Sequence, residues 1–156
     1  MSRRRRAVDW RDESGQVGGI EAIPFGLLLF VAGSLLVANA WAVIDAKMAA
    51  QAAAREATRA YVESTDPETA RADADEAATA VIRSLGRNPS QLDIVGPTAP
   101  SELRRCHRVT FSVSLPIPAV TLPWIGGVGP GLTVHAASTQ IVDPFREGFP
   151  GEAVCD

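Results

Sequence analysis

Residues 20–44 read IEAIPFGLLLFVAGSLLVANAWAVI, and this stretch decides the fold. After Glu21 no charged side chain occurs until Asp45. At about 1.5 Å per helical residue such a run covers roughly 35 Å, enough to cross the ~30 Å hydrocarbon core of a bilayer. The expected organisation is a basic cytoplasmic leader over 1–19, a transmembrane helix over 20–44 and an extracytoplasmic α+β domain over 45–156.

Charge supports that orientation. Arg3, Arg4, Arg5, Arg6 and Arg11 outweigh Asp9, Asp12 and Glu13 before the span, whereas the chain as a whole carries a formal charge of −3. Basic residues before an apolar helix and an acidic excess after it mark the N-terminus as cytoplasmic. No aromatic stacking platform accompanies the arginines, so they read as a topology signal rather than a nucleic-acid arm. A rival reading takes Ala38-Asn39-Ala40 as the end of a cleavable secretory signal. The apolar character continues past that point to Ile44, which favours a span, and either reading exports the remainder. Trp41 suits the membrane interface. Gly26, Gly33, Ser34 and Ala38 are small enough for another helix to approach closely, or are simply common residues in such helices.

Beyond Asp45 the helix is expected to continue to Glu63. Ala46, Ala49, Ala50, Ala52, Ala53, Ala54, Ala57 and Ala60 favour it, and no Gly or Pro interrupts. With the span this makes one helix of about 44 residues, roughly 65 Å long. Its narrow alanine face either packs on a neighbour or is solvated. Asp66-Pro67-Glu68 reads as a helix start with Asp66 as N-cap, and a second helix runs to Leu85 before Gly86. Its apolar face is Ala70, Ala74, Ala77, Ala78, Val81, Ile82 and Leu85; Arg71, Asp73, Asp75, Glu76 and Arg83 form the solvated one.

From residue 87 onward Val, Ile, Pro, Gly and Thr replace alanine. Leu92–Val95 is a short strand candidate. Arg105–Leu115 alternates, with Val109, Phe111, Val113 and Leu115 on one face. Gly131–Val142 alternates likewise, with Leu132, Val134 and Ala136 on one face. Residues 116–130 form a long apolar connection whose contact residues are Leu122, Trp124 and Ile125. It packs under its own domain, touches lipid or meets a partner. Cys155, in a loose tail, is a candidate disulfide partner for Cys106; the other reading is a free thiol.

Catalytic chemistry is not legible. Cys106 and His107 are adjacent in a strand-like segment, so their side chains are expected on opposite faces. The two Cys and two His lack zinc spacing, and Gly126-Gly127-Val128-Gly129 lacks a phosphate-binding context. Arg104, Arg105 and Arg108 read as a solvated sheet edge. The sequence thus predicts no enzyme, no cofactor, no metal and no nucleic-acid partner.

The layout resembles the TadE-like pseudopilins of tight-adherence (Flp) pilus assembly. Ser14-Gly15-Gln16-Val17-Gly18-Gly19-Ile20-Glu21 ahead of the apolar run carries the resemblance, together with the segment Ala53–Tyr61. It implies a non-enzymatic assembly role, with membrane lipid and pilin-like or other pilus-assembly proteins as partners. Pilin-like proteins place the glutamate five residues after the processing glycine; here Glu21 lies six after Gly15 and three after Gly18. An uncut leader is the favoured expectation. Cleavage after Gly15 would instead make Gln16 the new N-terminus and Glu21 a partner for a neighbouring subunit's amine. The alternative function is a bitopic extracytoplasmic binding or sensing module that uses the 116–130 loop.

Overall fold

Helix α1 (Ala22–Glu63) runs for 42 residues in the computed structural model, which describes residues 22–117, 121–122, 126–127, 131–152 and 154–155. Pro24 stands in the first described turn of α1. Contacts divide the chain into two compact units, Met1–Asn39 and Ala40–Asp156.

In the second unit α1 buries Ala46, Ala49, Ala50, Ala53, Ala54, Ala57, Thr58 and Tyr61. Their spacing of three and four residues puts them on one face. The alanine face is therefore packed, and the solvated reading is set aside. The Thr58 hydroxyl donates to the carbonyl of Ala54 at 2.7 Å and lies 3.2 Å from that of Ser138.

The second helix, α2 (Ala70–Ser84), starts later than expected. Asp66 does cap the connection: its Oδ1 accepts from the Glu68 N–H at 3.0 Å, and its carbonyl accepts from the Ala70 N–H at 3.0 Å. Residues 67–69 form a turn, and regular helix follows with Thr69 at its N-terminal boundary. Gly86, at φ 71°, ends α2 as anticipated. Its N–H donates to Arg83 and that of Arg87 to Ile82, the pattern of a Schellman motif. Ala70, Ala74, Ala78 and Ile82 are buried, but Leu85 is not. The helix stops at Ser84, and the turn carries Leu85 off the packed face.

Three antiparallel strands form the sheet in the order β1 (Asp93–Val95), β2 (Arg108–Ile117), β5 (Leu132–Ile141). β2 and β5 pair without a break from Arg108↔Ile141 to Ile117↔Leu132. Val109, Phe111, Val113, Leu115 and Ile117 point into the core with Val134 and Ala136, as their alternation predicts. Leu132, at the strand's first position, is exposed instead. On the outer face the hydroxyls of Thr110 and Thr139 meet at 2.8 Å, as do Ser114 Oγ and His135 Nδ1.

β2 is displaced from its expected bounds, starting at Arg108 and running through Pro116 and Ile117. Proline is tolerated there because β1 covers only Ser112–Ser114 of that side of β2. The expected 116–130 loop therefore contains the end of β2 and a separate small hairpin, in which β3 (Thr121–Leu122) pairs with β4 (Gly126–Gly127).

Candidate functional site

The N-terminal part of α1 is the feature with the clearest functional chemistry. Every residue from Ala22 to Ala42 is exposed, including Phe25, Leu27, Leu28, Phe30, Leu36 and Trp41. The helix is long and apolar enough there to cross a membrane. A Cβ added at Gly26 or Gly33 would meet nothing within 4 Å, so both leave open backbone surface. These glycines are seven residues apart and fall within ~20° of one helix face. At ~100° per residue, Ser34 and Ala38 lie roughly 80° and 120° round from Gly26. The four small residues thus do not make a single stripe. Gly15, Gln16 and Glu21 lie outside the described residues, as do Trp124 and Ile125; Leu122 pairs through its backbone with Gly126.

Cys106 and Cys155 form the expected disulfide. The segment before β2 and the tail are joined by more than sulfur. The Arg105 N–H donates to the Pro150 carbonyl at 2.9 Å, and its Nη2 donates to Gly151 at 2.6 Å. Arg105 Nε is buried without a hydrogen-bond partner among the described residues. This corrects the reading of Arg105 as one of three solvated edge charges: its guanidinium turns inward onto the tail, while Arg104 and Arg108 stay exposed. Gly151 has φ 121°, and a Cβ there would come within 2.7 Å of the Arg105 carbonyl oxygen.

The expected strand geometry of Cys106 and His107 is also corrected. Cys106 sits in a turn with φ 61°, and His107 donates its N–H to Arg104 before β2 begins. What removes a thiol nucleophile is the disulfide, not strand alternation. A surface recess of about 250 Å³ surrounds the bond, lined by Arg104, Arg105, His107, Gly151, Glu152 and Val154. Its ionisable groups are of both signs. No cluster of metal-ligating side chains occurs among the described residues.

Two other arginines organise the unit and were not singled out by sequence pattern. Arg71, on the face expected to be solvated, pairs with Asp75 and donates to the carbonyls of Ile94, Gly96 and Pro97. Its guanidinium also lies 5.6 Å from the Phe111 ring centroid. Arg146 reaches the carbonyls of Val62, Glu63 and Ser64 and covers the Phe149 ring at 4.5 Å. It thereby satisfies acceptors at the C-terminus of α1, which the helix cannot satisfy itself. The i,i+4 spacing of Arg71 and Asp75 is visible in sequence; the backbone targets, far away along the chain, are not.

Comparison with known proteins finds no matching family model, no matching curated protein and no matching solved structure.

Proposed function

We propose that this chain is a non-enzymatic, membrane-anchored, pseudopilin-like protein of tight-adherence pilus or envelope assembly, acting through helix–helix and domain contacts. The observation that carries the reading is α1. Its residues 22–42 present apolar side chains to their surroundings, and the same helix supplies buried alanines to a folded α+β unit. An apolar surface of that extent is stable against lipid or against other helices in lipid. The basic leader and the later acidic excess support a cytoplasmic N-terminus and an extracytoplasmic unit in a single-pass arrangement. The disulfide supports the same placement, because such bonds persist in oxidising compartments. The resemblance of residues 14–61 to TadE-like proteins supplies the assembly role.

Photo-crosslinking from positions 26 and 33 in the native membrane tests the helix contacts. The expected products are oligomers or adducts with pilin-like subunits. Monomers alone at native expression would count against helix-mediated assembly. N-terminal mass analysis of the same material decides the leader: a start at Gln16 supports processing, and an intact leader ends the processed-pseudopilin version.

A further inference from the structure

Contacts at opposite ends orient the unit Ala40–Asp156. At one end Arg87 Nη2 donates to the Asp45 carboxylate at 2.5 Å, and Lys47 Nζ donates to the carbonyl of His135. At the other, Arg146 holds the carbonyls of Val62, Glu63 and Ser64. The C-terminus of α2 and the start of β5 therefore lie where α1 brings the chain in from Ala40. The Ile117↔Leu132 register places the end of β2 there too.

That end has an unusual surface. Leu85 and Leu132 are 53% and 54% exposed, and Ile44 and Met48 on α1 are exposed as well. Lys47 and Arg87 stand among them, and the Asp45 charge is already paired with Arg87. The chain joining Ile117 to Leu132 leaves and returns at this end, and no Asp, Glu, Lys or Arg occurs between Arg108 and Asp143. Exposed aliphatic side chains interspersed with lysine and arginine match the bilayer interface. There apolar groups settle at the headgroup–acyl boundary and ammonium or guanidinium groups meet phosphate.

We infer that this end of the unit is a lipid-facing surface that rests on anionic phospholipid headgroups through Met48, Leu85 and Leu132, with Lys47, whose charge no carboxylate offsets among the described ion pairs, as the phosphate contact. The inference rests on the reading of residues 22–42 as a membrane span. It names the work of three exposed aliphatic side chains, Met48, Leu85 and Leu132, that a freely tethered domain would leave in water.

The test uses the full chain, disulfide intact, in vesicles of phosphatidylcholine and phosphatidylglycerol. A diazirine amino acid is placed in turn at positions 48, 85 and 132, with positions 95 and 145 as controls. Val95 and Phe145 are more exposed than Leu85 and Leu132 but lie away from this end, beside the segments held by Arg71 and Arg146. Lipid adducts are expected at 48, 85 and 132 in clear excess over 95 and 145. Lys47→Gln should lower the preference for phosphatidylglycerol about fivefold, the gain expected per basic side chain near an anionic surface. Equal adduct yields at all five positions, or adducts with protein alone, overturn the inference when the chain stays with the vesicles through an alkaline wash. Loss of the chain in that wash instead refutes the span, and this surface with it.

Discussion

The rings of Tyr61 and Phe111 pack with centroids 5.5 Å apart and planes inclined by 58°, joining α1 to the central strand β2. Both side chains are fully buried. Tyr61 is the chain's single tyrosine, so its ionisation can be followed directly. Burial raises its phenol above the ordinary value of 10.0; Glu102 adds to the rise and Arg71 opposes it. The folded state therefore favours the neutral phenol. That contribution to stability is complete below the unfolded value near pH 10 and is lost as pH rises through the higher folded value. Tyrosinate absorbance should show a midpoint above 10 in the native protein and near 10 in denaturant. Phe111→Ala should lower the native midpoint and cost about 3–5 kcal/mol in a denaturant titration.

The alanine face of α1 leaves no room for larger side chains. Ala53→Leu or Ala57→Leu should destabilise the second unit by about 1–3 kcal/mol, because both positions are fully buried. Ala52→Leu, on the exposed side, should stay within about 0.5 kcal/mol of the parent. Thermal melts of the three variants in one detergent give the comparison.

Arg71 is the main polar tie between α2 and the segment after β1. Arg71→Met should cost about 2–3 kcal/mol, since charge-assisted bonds to three carbonyls are lost. Arg71→Lys should recover only part of this, because one ammonium cannot reproduce the spread of a guanidinium. Gly96→Ala tests the same corner from the other side. Its added Cβ would lie 2.5 Å from two atoms of the Phe111 ring, so the melt should fall even with Arg71 intact.

The Cys106–Cys155 bond closes a chain separation of 49 residues. On the chain-entropy model reduction should remove about 4 kcal/mol. A slower-migrating band on a gel after reduction checks the bond itself, and a lower melting temperature under the same reductant checks its contribution. Gly151→Ala should mimic part of the loss with the disulfide still oxidised, through strain at φ 121° and crowding against Arg105.

Much of this architecture is written in local pattern. Val109, Phe111, Val113 and Leu115 announce β2 because one face of a strand must be apolar to reach the core. Gly86 announces the end of α2 because only glycine takes a left-handed conformation there without penalty. The alanine stripe shows which side of α1 is smooth, but not what covers it, since alanine fits a helix, a sheet or a solvated surface alike. Arginine is less legible still. Arg71 and Arg105 look like surface charges, and their long side chains find carbonyls many residues away. The same limit hides the shift of β2: Arg105 and Cys106 continue an apparent strand pattern, but the disulfide turn takes those residues out of it.

The bond between Cys106 and Cys155 also decides where the molecule gives way under tension. A pull between the N-terminal helix and the tail follows the covalent path, which crosses from one sulfur to the other. The paired strands β2 and β5 lie in the loop that this path bypasses, so they stay slack while α1, α2 and β1 bear the load. Reduction places those strands back in series, and each residue released then adds up to ~3.5 Å of extension. The oxidised molecule is thus short and stiff on its C-terminal side, with its compliance confined to the chain ahead of Cys106.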